Sequence, residues 1–205
     1  MTQERGLAHG LGAAQANAGG TSWLGRFRRR LQRNGARLDV AHALYHALVE
    51  QARRPVLYTE LHVPDSRDGR LELIYLHAIL LMRRLRSEGS AGQELAQDLF
   101  DLLFRDVDRH LREWGVGDLS VGKHVKALAQ SFFGRATALD GPLSDGDHEA
   151  ISEVLWRNVY AEVAEPDPAA VAGLADYLLA QDRWLASQAP ADLLAGRPAF
   201  APGRT

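Results

Sequence analysis

The sequence predicts an all-α fold, a single irregular bundle of about six helices. Apolar residues recur at steps of three or four along most of the chain, and no window alternates apolar and polar residues over the length of a strand. Glycine and proline separate these periodic segments at intervals that suit helices of ordinary length. The 205 residues are enough for one domain with a hydrophobic core and terminal tails.

Composition excludes several functional classes. The chain has no cysteine, so disulfides, thiol catalysis and cysteine zinc sites are excluded. The formal net charge is -2, which gives no global reason to expect binding to DNA. The longest nearly continuous apolar run, residues 71–82, is shorter than the roughly 20 residues that a membrane-spanning helix needs. We therefore expect a protein that is soluble or bound to a membrane surface.

Two N-terminal segments precede the predicted domain. Residues 1–22 are rich in alanine and glycine and carry few large apolar side chains, so we expect a disordered tail. Residues 23–37 are basic and amphipathic, with six arginines and no acid. We interpret this segment as a contact for anionic lipid or ribosomal RNA, with a solvated lead-in to the domain as the alternative. The contact residues would be Trp23, Arg26, Phe27, Arg28, Arg29, Arg30 and Arg33.

Residues 38–188 are predicted to form the helical domain. Its first amphipathic helix, 38–54, ends at Pro55, because proline disfavours helical backbone in the residue before it. The connector 55–69 holds Tyr58 among apolar residues, which indicates that it packs on the domain.

The next predicted helix, 70–88, is apolar around most of its circumference. This pattern is typical of a helix at the centre of a bundle. If neighbouring helices leave part of it uncovered, Leu76 and Leu80 become candidates for a binding groove.

The helix predicted at 94–114 has one apolar stripe and an opposite face of acids and arginines. Asp108 and Arg112 stand one turn apart, and such an exposed pair contributes roughly 0.3 kcal/mol. Ser90 and Gln93 are expected to form a capping box near its start. We interpret the face as solvated and self-paired rather than as a metal site, although it holds the acidic run Asp101, Asp106 and Asp108.

The most informative stretch is residues 113–135, which read EWGVGDLSVGKHVKALAQSFFGR. The helical pattern stops at Trp114, breaks over 115–117 and restarts after Asp118, as in a hairpin of two helices. We expect Asp118 or Ser120 to cap the second helix. Gly115 and Gly117 are expected to hold a backbone turn that residues with side chains tolerate poorly.

No motif in the chain supports catalysis. The run GDLSVGK fits the spacing of a phosphate loop, but His124 follows it in place of Ser or Thr, and a helix rather than a strand precedes it. Ser120 lacks the glycine that a nucleophile elbow needs two residues before it. No carboxylate or histidine falls in a predicted apolar cleft. We therefore expect a protein that is not an enzyme, with no catalytic, cofactor or metal residues.

The last third of the chain predicts two more helices. Gly141 and Pro142 are expected to break the chain, and Ser144 with Asp147 to cap the helix that follows. Asp167 is expected to cap the last long helix. Residues 189–205 are rich in alanine, proline and glycine and predict a C-terminal tail.

Four sequence blocks together resemble one known family. In chain order they read QARRPVLYTELHVPDSRDGRLELIYLH, FRDVD, LREWGVGDLSVGKHVKALAQSFFGR and WRNVY. Between about Tyr45 and Tyr160 the chain resembles the ubiquinol–cytochrome c chaperone family. The family pattern has Tyr where Phe133 stands and a second basic residue where His124 stands, so a phenol hydroxyl and a full basic triplet are not implied here.

The resemblance implies an all-helical assembly chaperone for ubiquinol:cytochrome c reductase, respiratory complex III. It implies binding of newly made cytochrome b or another complex III subunit, together with a small partner protein in mitochondrial members. The composition suits a bacterial member, so we expect a cytoplasmic protein at the surface of the inner membrane, which corresponds to the matrix side in mitochondria. A membrane surface or a ribosome is a further expected partner, through residues 23–37.

The resemblance and the apolar pattern lead to one hypothesis for the binding surface. We expect the helix at 71–82 and the glycine corner with its following helix to shield an apolar client. A helical carrier of lipid or quinone and an adaptor for membrane or RNA are the alternatives. The expected surface residues are Tyr58, Leu76, Leu80, Asp106, Asp108, Arg112, Gly115, Gly117, Asp118, Gly122, Lys123, Lys126, Phe133 and Arg135.

Overall fold

The structure, a computed structural model, describes residues 35–202. The predicted all-α fold is confirmed, since this range contains helices and no strand. Six helices are long and two are short, as the prediction of about six expects. The predicted contact residues at 23–33 lie outside the described range. The helices are α1 Gly35–Ala52, α2 Val56–Thr59, α3 Arg67–Arg86, α4 Gly89–Glu113, α5 Asp118–Asp145, α6 His148–Asn158, α7 Pro168–Ser187 and α8 Pro190–Leu194.

Helix α3 occupies the centre of the bundle, as its apolar circumference predicts. It packs against α1, α4 and α7, and its buried residues include Leu73, Ile79 and Leu81. Leu76 and Leu80 are only 2% and 1% exposed. These two leucines therefore belong to the core and present no surface to a partner.

Helix α5 differs from its prediction at its C-terminal end. Gly141 and Pro142 do not break the chain, and the helix runs through both to Asp145. The buried side chains of Leu139 and Leu143 flank this point, and their packing outweighs the helix-breaking tendency of proline. The helix ends at Gly146, whose φ of 69° is left-handed.

Several helix starts also differ from the sequence prediction. The prediction of a capping box by Ser90 and Gln93 is wrong, because α4 begins at Gly89 directly after α3 and has no side-chain cap. Ser144 is not a cap either, since its hydroxyl donates to the Asp140 carbonyl within α5. Asp147 does cap α6, and the predicted cap of α7 is confirmed by a 2.9 Å hydrogen bond from the Ala169 amide to the Asp167 carboxylate.

Part of the predicted C-terminal tail packs on α7. Two glutamine side chains hold the backbone of this segment, one within α7 and one directly after it. Gln181 bonds the amide and the carbonyl of Ala201, and Gln188 bonds the amide and the carbonyl of Ala199. Leu193 of α8 is fully buried. The small residues of this segment gave no indication that it packs on the domain, because glutamine side chains outside it and one leucine supply the contacts.

A buried polar chain joins α1, α3 and α7. His77 is fully buried, with Nδ1 2.7 Å from the Leu73 carbonyl oxygen and Nε2 2.8 Å from the Tyr177 hydroxyl. The Gln51 amide donates to the same hydroxyl at 2.8 Å. These contacts fit a neutral ring whose Nδ1–H donates and whose Nε2 accepts. Burial lowers the pKa of His77 to about 4, so the ring is neutral at pH 7.

Removing the Tyr177 hydroxyl tests the hydrogen bonds that join His77, Tyr177 and Gln51. Tyr177→Phe is expected to lower the free energy of unfolding by roughly 1–3 kcal/mol, because it leaves His77 Nε2 and the Gln51 amide buried without partners. Urea unfolding measures the loss. Tyr58→Phe is the control, since that half-buried hydroxyl serves only the Ala52 carbonyl and should cost less. Equal losses in the two variants would contradict the role of the chain.

Candidate functional site

The predicted corner lies between α4 and α5, and the break at residues 115–117 is confirmed. The Val116 amide donates to the Leu111 carbonyl and the Gly115 amide to the Arg112 carbonyl, each at 3.0 Å. This pair of bonds is a Schellman motif, which requires a left-handed residue after the helix. Gly115 supplies it with a φ of 82°. Gly117 has a φ of -61°, so its position does not require glycine.

Arg112 connects the two helices across the corner. Its guanidinium bonds Asp108 within α4 at 2.8 Å and also pairs with Asp118, the first residue of α5. The predicted side-chain cap is wrong, because Gly117 occupies the N-cap position and neither Asp118 nor Ser120 caps the helix. Asp118 instead adds a negative charge to the first turn, where the helix dipole favours one.

A pair of glycine substitutions tests the corner. Gly115→Ala is expected to destabilise the protein by roughly 1–2 kcal/mol, because alanine adopts a left-handed backbone at a cost. Gly122→Ala, in the exposed first turns of α5, is expected to stabilise by up to about 1 kcal/mol, since a Cβ there meets open space. Thermal or urea unfolding compares the two. The Schellman assignment is wrong if both substitutions shift stability in the same direction.

An aromatic cluster of α3, α4 and α5 connects the core to the surface. Tyr75 of α3 and Phe104 of α4 lie 5.3 Å and 5.8 Å from the Phe132 ring of α5. Phe100 stacks on Phe133 with the ring centroids 5.0 Å apart. Phe133 is 47% exposed, so the cluster ends in an open aromatic face. Packing from beneath holds that face in place.

A groove of about 470 Å³ runs beside Phe133 between α3 and α5. Its floor includes Ile79, Met82 and Phe132, all buried. Its rim includes Arg83, which bonds Asp182 at 3.0 Å. An apolar floor with a charged rim suits an apolar segment that carries polar or charged ends.

A buried ion pair joins α3 to α5 next to the cluster. Glu72 of α3 pairs with Arg135 of α5, and the Arg135 guanidinium lies 5.7 Å from the centre of the Tyr75 ring. Burial raises the pKa of Glu72 to about 7, against the opposing effect of the Arg135 charge. Glu72 Oε2, Arg135 Nε and the Tyr75 hydroxyl make no hydrogen bond within the described residues. Hydrogen bonds therefore compensate the burial of this ion pair only in part, and the Glu72 carboxyl titrates near neutral pH.

The pH dependence of stability tests the ion pair. Because the folded pKa of Glu72 is raised from 4.5 to about 7, the carboxyl lowers stability as pH rises through that window. As pH rises through this window, the free energy of unfolding of Glu72→Gln minus that of the wild type is expected to increase by roughly 3 kcal/mol. Arg135→Gln should extend the decline to higher pH, because it removes the charge that lowers the pKa of Glu72. Parallel curves for wild type and Glu72→Gln, from urea unfolding at several pH values, would contradict the assignment.

The other residues expected at the surface occupy different environments. Asp106 accepts a 2.8 Å hydrogen bond from the Tyr45 hydroxyl of α1, so it takes part in packing as well. Tyr58 lies in α2, where its hydroxyl donates to the Ala52 carbonyl. Lys123 and Lys126 are exposed on the first turns of α5 and make no ion pair within the described residues. These two lysines are available to a partner.

Two arginines of the groove are not predicted by the sequence. Met82 belongs to the helix expected at the binding surface, but the periodic pattern does not place Arg83 and Arg86 beside it on the rim. Two adjacent phenylalanines were the available signal. Adjacent helical residues point about 100° apart, so on a helix with one buried face Phe133 falls at the edge of the stripe that contains Phe132.

Neither a metal site nor a membrane span is found in the described part of the chain. Between residues 35 and 202 no three His, Asp or Glu side chains are grouped to bind a metal ion. No helix in that range combines the length and the apolar character needed to cross a bilayer. The phosphate-loop spacing at 117–123 falls on the corner and the first turns of α5, after a helix as expected.

Comparison with known proteins gives consistent results. The sequence model of the family described as Ubiquinol-cytochrome C chaperone matches residues 59–200. The chain is 23% identical over 151 residues to ubiquinol-cytochrome c reductase complex assembly factor 1 of Mus musculus and of Homo sapiens. That alignment covers 74% of this chain and 50% of each relative, so the chain spans about half the length of these proteins.

A solved structure has the same fold. The crystal structure of the Cbp3 homolog from Brucella abortus is 32% identical and superposes with a TM-score of 0.74. The match covers 87% of this chain and 96% of that protein.

Proposed function

Because the chain belongs to the ubiquinol–cytochrome c chaperone family, we propose that it is an assembly chaperone for ubiquinol:cytochrome c reductase. The family match over residues 59–200 carries this proposal, and the names of the mouse and human relatives support it. The protein acts by binding an unassembled subunit rather than by catalysis. It works at the cytoplasmic surface of the inner membrane, where that subunit is inserted.

The proposed client is newly made cytochrome b, and the proposed binding surface is the groove between α3 and α5. A subunit built of apolar helices exposes apolar surface until its partners arrive, and a helper must cover part of it. The apolar floor of the groove and the open ring of Phe133 provide such a cover. Aromatic side chains held by packing are the usual anchors of protein interfaces.

The corner extends this surface with charge. Lys123 and Lys126 project from the same helix as Phe133 and are not neutralised by other described residues. They would meet acidic groups that flank the apolar part of the client, which fixes orientation more than it adds affinity. The Glu72–Arg135 pair lies behind the aromatic cluster and positions α5 rather than contacting the client.

The alternative of a lipid or quinone carrier has less support. Such a carrier needs an enclosed apolar chamber that removes the whole ligand from water. The groove opens to solvent and has arginines on its rim, which suits a protein segment better. The adaptor role of residues 23–37 stays a prediction, because it depends on arginines outside the described range.

Deleting the gene tests the function, and substituting Phe133 tests the surface. Loss of the gene should lower assembled complex III and cytochrome b while other respiratory complexes stay at normal levels. In the complemented strain, Phe133→Asp is expected to reduce assembled complex III by roughly tenfold, because a carboxylate at the centre of an apolar interface is costly to desolvate. Native gels and haem b spectra measure the effect.

Two matched variants make this test specific. Phe133→Tyr keeps the ring and should support assembly. Trp184→Asp changes a side chain of α7 that is 44% exposed, close to the 47% of Phe133, and should leave assembly normal. Circular dichroism confirms that each variant folds. Normal assembly with Phe133→Asp, or equal loss with Trp184→Asp, would argue against the groove as the client surface.

A further inference from the structure

A second recess lies between α6 and the first turns of α7. It has a volume of about 350 Å³, and its apolar lining includes Trp156, Pro168 and Val171. Trp156 is 44% exposed on one side of it. None of its lining residues belongs to the groove between α3 and α5. The volume is at the small end for ligand pockets, which suits one apolar side chain of a partner.

The charged lining of this recess consists of two glutamates and one arginine. Glu149 and Glu153 make no ion pair with another described residue. The third charged group, Arg157, is the only lysine or arginine in residues 145–176. The same stretch holds eight acids, in a chain whose net charge is -2: Asp145, Asp147, Glu149, Glu153, Glu162, Glu165, Asp167 and Asp176.

We propose that this recess, formed by Trp156, Ser152, Glu149 and Glu153 with the start of α7, binds a basic segment of a partner protein. The segment places one apolar side chain in the recess and arginine or lysine on both sides of it. Carboxylates bind guanidinium groups with two parallel hydrogen bonds, which favours arginine. The two unpaired carboxylates disfavour anionic lipid and RNA as occupants. A simple cation would meet the carboxylates but would leave the apolar recess unfilled, so a segment with an apolar side chain fits the site better.

This docking site goes beyond the proposed client groove and is independent of it. A partner could bind here whether or not cytochrome b is the client, since the two sites share no lining residue. The charged groups of the two sites also differ. Arg83 on the groove rim is paired with Asp140 and Asp182, whereas Glu149 and Glu153 of the recess make no ion pair within the described residues.

A synthetic peptide tests the proposal with the full chain. The probe is a fluorescent amphipathic peptide of about 15 residues that carries one leucine anchor flanked by arginines, and fluorescence anisotropy measures its dissociation constant. Glu149→Gln with Glu153→Gln is expected to weaken binding by roughly tenfold. Asp145→Asn with Glu165→Gln is the matched control. It removes the same charge from the same acidic stretch outside the recess and should change binding less than about twofold.

A cycle of variants separates the anchor from the charges. Trp156→Ala should weaken binding of the leucine peptide, but it should hardly affect a peptide whose leucine is replaced by serine. Phe133→Asp should leave binding unchanged, which keeps this test distinct from that of the client groove. Equal weakening by the two acidic pairs would overturn the proposal, because it would indicate nonspecific attraction. Absence of peptide binding to the wild-type chain would overturn it as well.

Discussion

The need to bury α3 on all sides governs the rest of this structure. Its side chains are apolar around most of the helix, so α1, α4 and α7 pack on it from several directions. The polar groups that it carries inward must then find partners inside the protein. His77 bonds Tyr177, which also accepts from Gln51, and Glu72 pairs with Arg135. The first set is fully bonded, whereas the second leaves buried polar atoms without partners.

That difference separates a purely structural region from a candidate functional one. The His77 network lies among α1, α3 and α7, where every group has a hydrogen bond and the ring is neutral. The Glu72–Arg135 pair lies where α3 meets α5, next to the aromatic cluster and the groove. A buried ion pair with unpartnered polar atoms is tolerated at a binding surface more often than in a core. The family membership of the chain gives this surface its proposed task.

The two recesses of the bundle differ in their charged groups. Arg83 of α3 borders the groove but is paired with Asp140 and Asp182, whereas Glu149 and Glu153 of α6 border the recess next to Trp156 and make no ion pair within the described residues. The proposed client and the proposed basic partner would therefore meet different surfaces. The small net charge of the chain does not indicate this difference.

The sequence by itself determined the fold class, the central place of α3 and the corner at residues 115–117. These features follow from local periodicity and from a glycine that must be left-handed, so no distant contact is needed to predict them. Four sequence blocks also identified the family. Only the tertiary structure decided that Leu76 and Leu80 are covered, that α5 continues through Pro142, and that Met82 and Arg83 face a groove. Exposure and helix ends depend on what neighbouring helices cover, and a single sequence does not record how those helices pack.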